Sequence, residues 1–245
     1  MNILCAVSYD GSCFSGWQIQ PDKTTVQSVI EEALRLMSGS RIRTTVAGRT
    51  DAGVHALKNY FNFKVEELLI PVDRLPVVLN TMLPDGVRIL SAENVDETFS
   101  SRYSCRKRIY EYIIVNGEKT PFLCKYRMFF KRQFNIELMD YSIKKLIGKY
   151  DFSGFKSIDC NSKNQIREIY YAAVHQKNDE IIIRIEANGF LKNMIRIIVG
   201  TLLDIERGKK KPEIIDEIIE TRNRGIAGKT VSPNGLFFVD AIFER

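Results

Sequence analysis

The hexapeptide Gly48-Arg49-Thr50-Asp51-Ala52-Gly53 sets a carboxylate between an arginine and two glycines, in a tight turn where backbone can come close to a ligand. An acid so placed can serve as a nucleophile or base, or it can form an Asx-type turn and nothing more. Tyr110 and Tyr112, in Arg108-Ile-Tyr-Glu-Tyr-Ile113, alternate along a strand, so both rings share a face. That face is either core or a surface on which a base can stack. Arg196 lies in Phe190-Leu-Lys-Asn-Met-Ile-Arg-Ile-Ile-Val-Gly200, a segment apolar enough to predict a largely buried helix. A buried guanidinium needs a partner, which is either a structural ion pair or a functional carboxylate.

Other chemistries find no residues. The chain has only two histidines, His55 and His175, which argues against a His-centred metal site or a serine triad. The five cysteines are scattered, with no CxxC pair and no zinc-site spacing, and read as reduced core thiols of a cytoplasmic protein. No GK[ST] follows the glycines of the 48–53 turn, and no GxGxxG opens a helix, so nucleoside-triphosphate and dinucleotide chemistry are unsupported. No apolar run approaches the roughly 18 residues of a membrane span, and the N-terminus lacks the pattern of a signal peptide. The composition predicts a soluble, unexported chain.

The net charge of +6 is gathered in groups: Arg102 with Arg106, Lys107 and Arg108; Lys125 with Arg127, Lys131 and Arg132; and Arg207 with Lys209, Lys210 and Lys211. Such grouping favours a polyanionic partner, although basic runs are also ordinary solvated faces.

Periodicity supplies the elements that must position these groups. Strands are expected at 2–9, 42–46, 58–65, 87–95 and 108–115, with a 168–175/180–187 hairpin and a closing strand at 236–243. Helices are expected at 27–37 (capped by Thr24 or Thr25 and ended by Gly39), 72–82, 137–150, 190–205 and up to Thr221. Hairpins with helices grouped between them predict an α+β fold with mixed or antiparallel sheets flanked by helices. The 245 residues suit two lobes, with a boundary near residue 100 separating 1–100 from 101–245.

Taken together, several separated segments resemble the TruA family of tRNA pseudouridine synthases, nearly from end to end. They are Tyr9-Asp-Gly-Ser-Cys-Phe-Ser-Gly-Trp-Gln18, Gly48-Arg-Thr-Asp-Ala-Gly-Val-His-Ala56, Asn80-Thr-Met-Leu-Pro84, Phe99-Ser-Ser-Arg102, Tyr110-Glu-Tyr112, Phe190-Leu191 with Met194 and Arg196, and Gly235-Leu236. The resemblance implies two related lobes of the pseudouridine synthase fold, with the active-site cleft between them. It implies Asp51 as the catalytic nucleophile, Arg49 beside a flipped nucleotide, Tyr110 against the uracil ring, Arg196 as a cation for Asp51, and Leu236 against the base. Arg106, Lys107 and Arg108, next to the strand of Tyr110, would then anchor RNA phosphates.

The implied reaction is isomerisation of uridine to its C-glycoside at positions 38, 39 and 40 in the anticodon stem-loop of tRNA. It needs no cofactor and no metal, and the implied working form is a cytoplasmic homodimer. Departures from the family pattern are the order of Thr230-Val-Ser-Pro-Asn-Gly235, Ile197 in place of a common asparagine, and Ser101 and Cys105 in place of frequent alanines. These leave open a paralogue acting on another structured RNA such as rRNA, and a second alternative, of a different class, is a non-catalytic RNA-binding module.

Overall fold

Residues 2–9 carry apolar side chains on both faces, the pattern of a strand covered on both sides, and they form the central strand β1 (Asn2–Tyr9) of the first unit. The computed structural model describes residues 1–244, in two units: 1–108 with 237–244, and 109–236.

In the first unit β1 is flanked antiparallel by β3 (His55–Lys64) and β4 (Val87–Val95), and β2 (Thr44–Val46) pairs antiparallel with β3. The strand β10 (Leu236–Phe243) pairs parallel with β3, Phe237 opposite His55 and Phe238 opposite Ala56. This pairing returns 237–244 to the first unit, whereas the sequence pattern groups all of 101–245 together. Two helices accompany the sheet, α1 (Val26–Ser38) and α2 (Leu75–Met82). Thr25 caps α1 by accepting the Ser28 N–H at 3.2 Å, while Ser28 Oγ accepts the Thr25 N–H at 3.1 Å. Val26, Ile30, Ala33 and Leu34 form the buried stripe, and Gly39 ends the helix at φ 73°.

The second unit has the strand order β5-β9-β8-β7, with β6 parallel to β5. Its strands are β5 (Cys105–Asn116), β6 (Met128–Phe130), β7 (Gly148–Asp151), β8 (Ile166–Lys177) and β9 (Glu180–Ala187). The chain leaves the first unit within β5 and re-enters it within β10. β9 alternates strictly, with Ile181, Ile183, Ile185 and Ala187 buried and Arg184 on the opposite face bonded to Glu111 and Glu186, each at 2.9 Å. The helices are α3 (Ile136–Lys144), α4 (Met194–Glu206) and α5 (Ile214–Thr221). The architecture is α+β with mixed pairing, as the sequence pattern predicts.

Several boundaries move for physical reasons. The helix expected to run to residue 150 stops at Lys144, because Gly148 sits at φ 129° and begins β7 against β8. The helix expected from Phe190 starts at Met194, after Asn193 takes a left-handed φ of 59°. No sequence pattern marks Met128–Phe130 as the strand β6. Of the five cysteines, all unbridged, Cys5 and Cys105 are buried, but Cys13 is exposed and Cys124 and Cys160 are half-buried, so the core-thiol reading holds for two. Among the described residues no helix is long and apolar enough to cross a membrane.

Candidate active site

The turn carrying Asp51 joins β2 to β3, and its backbone is fixed from several directions. At its root, Ala47 N–H bonds the Tyr60 carbonyl at 2.8 Å, and Asn59 Nδ2 donates to the Gly48 carbonyl at 2.8 Å. Asn59 Nδ2 also reaches the Tyr9 hydroxyl at 3.2 Å, and that hydroxyl shares a 2.8 Å bond with Thr50 Oγ1. Tyr9, Asn59 and Thr50 are all buried, so this chain of bonds satisfies polar groups that would otherwise destabilise the core. Across the turn, Val54 N–H bonds the Asp51 carbonyl at 3.1 Å, and Gly53 supplies a φ of 79°.

A second segment, 10–17, presses on the same turn. Trp17 N–H bonds the Thr50 carbonyl at 3.1 Å, with the indole buried between Tyr9 and Phe61 at centroid distances of 5.9 and 6.1 Å. Gly16 has φ 91°, and a Cβ there would lie 2.8 Å from the Thr50 carbonyl oxygen. Gly11 N–H bonds His55 Nδ1 at 3.1 Å, and the imidazole stacks on Phe237 at 4.8 Å. The result is a half-buried Asp51 on a backbone with little freedom to move.

Arg49 extends from this turn into solvent. Partial burial, then repulsion from the nearby Arg102, lowers its pKa, which marks a local excess of positive charge that an anion would relieve. The three basic residues at the start of β5 differ in their commitments. Arg108 donates to the carbonyls of Ala47 (2.7 Å), Arg102 (2.9 Å) and Cys105 (3.2 Å), so it fastens the root of the Asp51 turn to the segment bearing Arg102. Arg106 pairs with Glu244, and Lys107 is half-buried.

The remaining sequence-predicted residues lie in the second unit. Tyr110 is buried, its ring edge-on to Phe190 at 5.1 Å. Its strand neighbour Tyr112 is fully buried and donates to the Ser232 carbonyl at 2.8 Å; burial raises its pKa, with Arg196 opposing the rise. Arg196 is half-buried rather than enclosed, and its partners include the Val231 carbonyl at Nε and Asn193 Oδ1 at Nη1, both at 2.7 Å. Leu236 is buried after Gly235, where a Cβ would meet the Ile113 carbonyl at 2.6 Å and the Tyr112 ring at 3.0 Å. Thus Tyr112, Arg196 and the 231–236 turn form one bonded group around β5 and α4.

Sequence reasoning singled out candidate side chains but not the residues that support them. Asn59 and Tyr9 carry the hydrogen bonds that shape the Asp51 turn, and the signal for Asn59 was present: a polar side chain at a buried register of an aromatic strand.

A family model described as tRNA pseudouridine synthase matches residues 5–104 and 142–244. Similar curated proteins, each called tRNA pseudouridine synthase A, come from Caldicellulosiruptor bescii (43% identical), Anoxybacillus flavithermus (41%) and Thermoanaerobacter pseudethanolicus (39%). In each case the match covers 99% of both chains. A chain in the crystal structure of a Cbf5-Nop10-Gar1 complex aligns with 96% of this chain at 10% identity and a TM-score of 0.38, and this chain spans 57% of its length. The chain belongs to the tRNA pseudouridine synthase family.

Proposed function

We propose that this protein is an isomerase that converts uridine to pseudouridine in tRNA, at positions 38, 39 and 40 of the anticodon stem-loop, with Asp51 as nucleophile. The observation that carries the reading is the Asp51 turn. Its carboxylate is half-buried on a braced backbone, Arg49 is its near neighbour in the chain, and the cationic surroundings of Arg49 suit a phosphodiester.

A stacked uridine must be extruded to reach a side chain, at a cost of a few kcal/mol that phosphate contacts offset. Arg49 is suited to fill the vacated space. The N1–C1′ bond then breaks, the uracil rotates, and a C5–C1′ bond forms; C5 loses its proton and N1 gains one, so the product is an isomer of the substrate. Asp51 acts by adding to the ring, by attacking C1′ or by removing a proton at C2′. Tyr110 stacks on the base and assists loss of the C5 proton, Leu236 packs against it, and Arg196 keeps the carboxylate ionised. Arg106 and Lys107 contribute to phosphate anchoring, Arg108 chiefly through the backbone it holds. The working form in this reading is a cytoplasmic homodimer.

Asp51→Asn preserves size while removing charge and nucleophilicity. It should abolish tritium release from C5-labelled uridine in tRNA while the variant melts cooperatively and binds tRNA as tightly as the parent. Turnover near the parent rate would remove Asp51 from the chemistry. Mapping pseudouridine in total RNA with and without the gene separates tRNA positions 38–40 from sites in another RNA.

A further inference from the structure

A cavity of about 660 Å³ opens in the second unit, lined in part by Ser157, Ile158, Asp159, Arg224, Lys229 and Thr230. That volume lies within the roughly 300–1,000 Å³ of small-ligand sites and far exceeds what a lone anion fills. One wall, residues 224–231, is rigid. Gly228 N–H bonds Thr201 Oγ1 at 2.8 Å, and Arg196 Nε holds the Val231 carbonyl at 2.7 Å. Gly200 of α4 lies so close that a Cβ there would overlap the Lys229 carbonyl. Arg224 and Lys229 are therefore presented on backbone that is already ordered, which lowers the entropic cost of using them.

The charges in this cavity are unbalanced. Asp159 is engaged by Lys192 at 2.5 Å, whereas among the described residues neither Arg224 nor Lys229 has a carboxylate partner. Arg224 is half-buried, its nearest polar contact the Thr230 hydroxyl at 3.5 Å. Burial lowers its pKa, and no acid offsets the effect. Beside these cations Ile158 stands 95% exposed, an apolar surface at the same cavity. Two cations, a hydroxyl and an exposed apolar side chain match a phosphodiester together with the nucleoside attached to it.

We infer that this cavity is a nucleotide subsite for the RNA substrate, in which Arg224, Lys229 and Thr230 hold a backbone phosphate and Ile158 contacts the adjoining nucleoside. The inference rests on the tRNA reading and adds a site built wholly within residues 109–236. It supplies binding energy and register but no group to the chemistry.

The test is a salt titration of tRNA-transcript binding by Arg224→Gln/Lys229→Gln and by the exposed single variant Lys229→Gln, each confirmed by a cooperative melt. The double variant should bind roughly three- to tenfold more weakly at low salt, with its log Kd against log salt slope shallower by about 1 to 2, and turnover at saturating tRNA should be unchanged. Amine acetylation read by mass spectrometry should show Lys229 protected by tRNA but not by inorganic phosphate at equal ionic strength. Parental affinity and slope in both variants, or equal protection by inorganic phosphate, would overturn the subsite. Failure of the wild-type protein to form pseudouridine in tRNA would overturn the functional reading instead, and the binding slopes judge the subsite in either case.

Discussion

Tyr9 acts on Asp51 at one remove, because its hydroxyl ties Asn59 to Thr50, the residue directly before the carboxylate. Tyr9→Phe keeps the ring against Trp17 and deletes the tie, so we expect kcat to fall several-fold while KM for tRNA stays put, with a stability loss of about 1 kcal/mol. Equal changes in kcat and KM would reduce Tyr9 to a general structural residue. The same hydroxyl has a pH signature. Burial raises the Tyr9 pKa from 10 to about 12, and the bonds to Thr50 and Asn59 only partly oppose the rise. The folded state thus favours the protonated form, and the corresponding stability, roughly 2–3 kcal/mol by linkage, is fully present below pH 10 and is lost between about pH 10 and 12. Burial likewise raises Cys5 from 9 to about 12, so its share begins to fade near pH 9. Denaturant melts across pH 8–12 should show this alkaline decline, smaller in Tyr9→Phe; an identical decline in the variant would contradict the assignment.

At the scale of elements, two left-handed glycines make a controlled comparison. Gly39 ends α1 at φ 73° with nothing within 4 Å of a built Cβ, whereas Gly16, at φ 91°, lies against the backbone of Thr50, Asp51 and Ala52. Gly39→Ala should cost about 1–2 kcal/mol of stability and leave turnover alone. Gly16→Ala adds displacement of the Asp51 turn and should reduce turnover at least tenfold; comparable activity in the two variants would show that the 10–17 segment does not position the carboxylate. Legibility in the sequence also divided by element. Strand β1 was readable as a continuous apolar run, and helix α1 because its burial follows the helical period and Thr25 and Gly39 mark its ends. The α3–β7 boundary was not, since Leu146 and Ile147 continue an apolar pattern that only the pairing of Gly148–Asp151 with β8 interrupts. The Asp51 motif was readable as a family signature, yet the Tyr9–Asn59–Thr50 bonds join residues up to fifty positions apart, and no local pattern encodes them.

At the scale of the whole chain, residues 109–236 are inserted into the first unit, which is completed only by 237–244. A variant lacking 237–244 should lose hydrogen-exchange protection in β1 and β3 while β8 and β9 keep theirs, because β10 pairs with β3 and the β8–β9 hairpin has its own buried face. Equal loss in all four strands would mean that the two units unfold as one. The insertion also has a consequence during synthesis. At about 5–20 residues per second, a ribosome spends roughly 6 to 25 seconds making 109–236 before it reaches the strand that closes β3. Throughout that interval the His55–Ala56 end of β3, next to the segment that bears Asp51 and beyond the reach of β2, is open to any other unfinished strand nearby. The arrival of β10 therefore ends a period of exposure to misassembly, and the yield of active protein should depend on how quickly 237–244 follow 109–236.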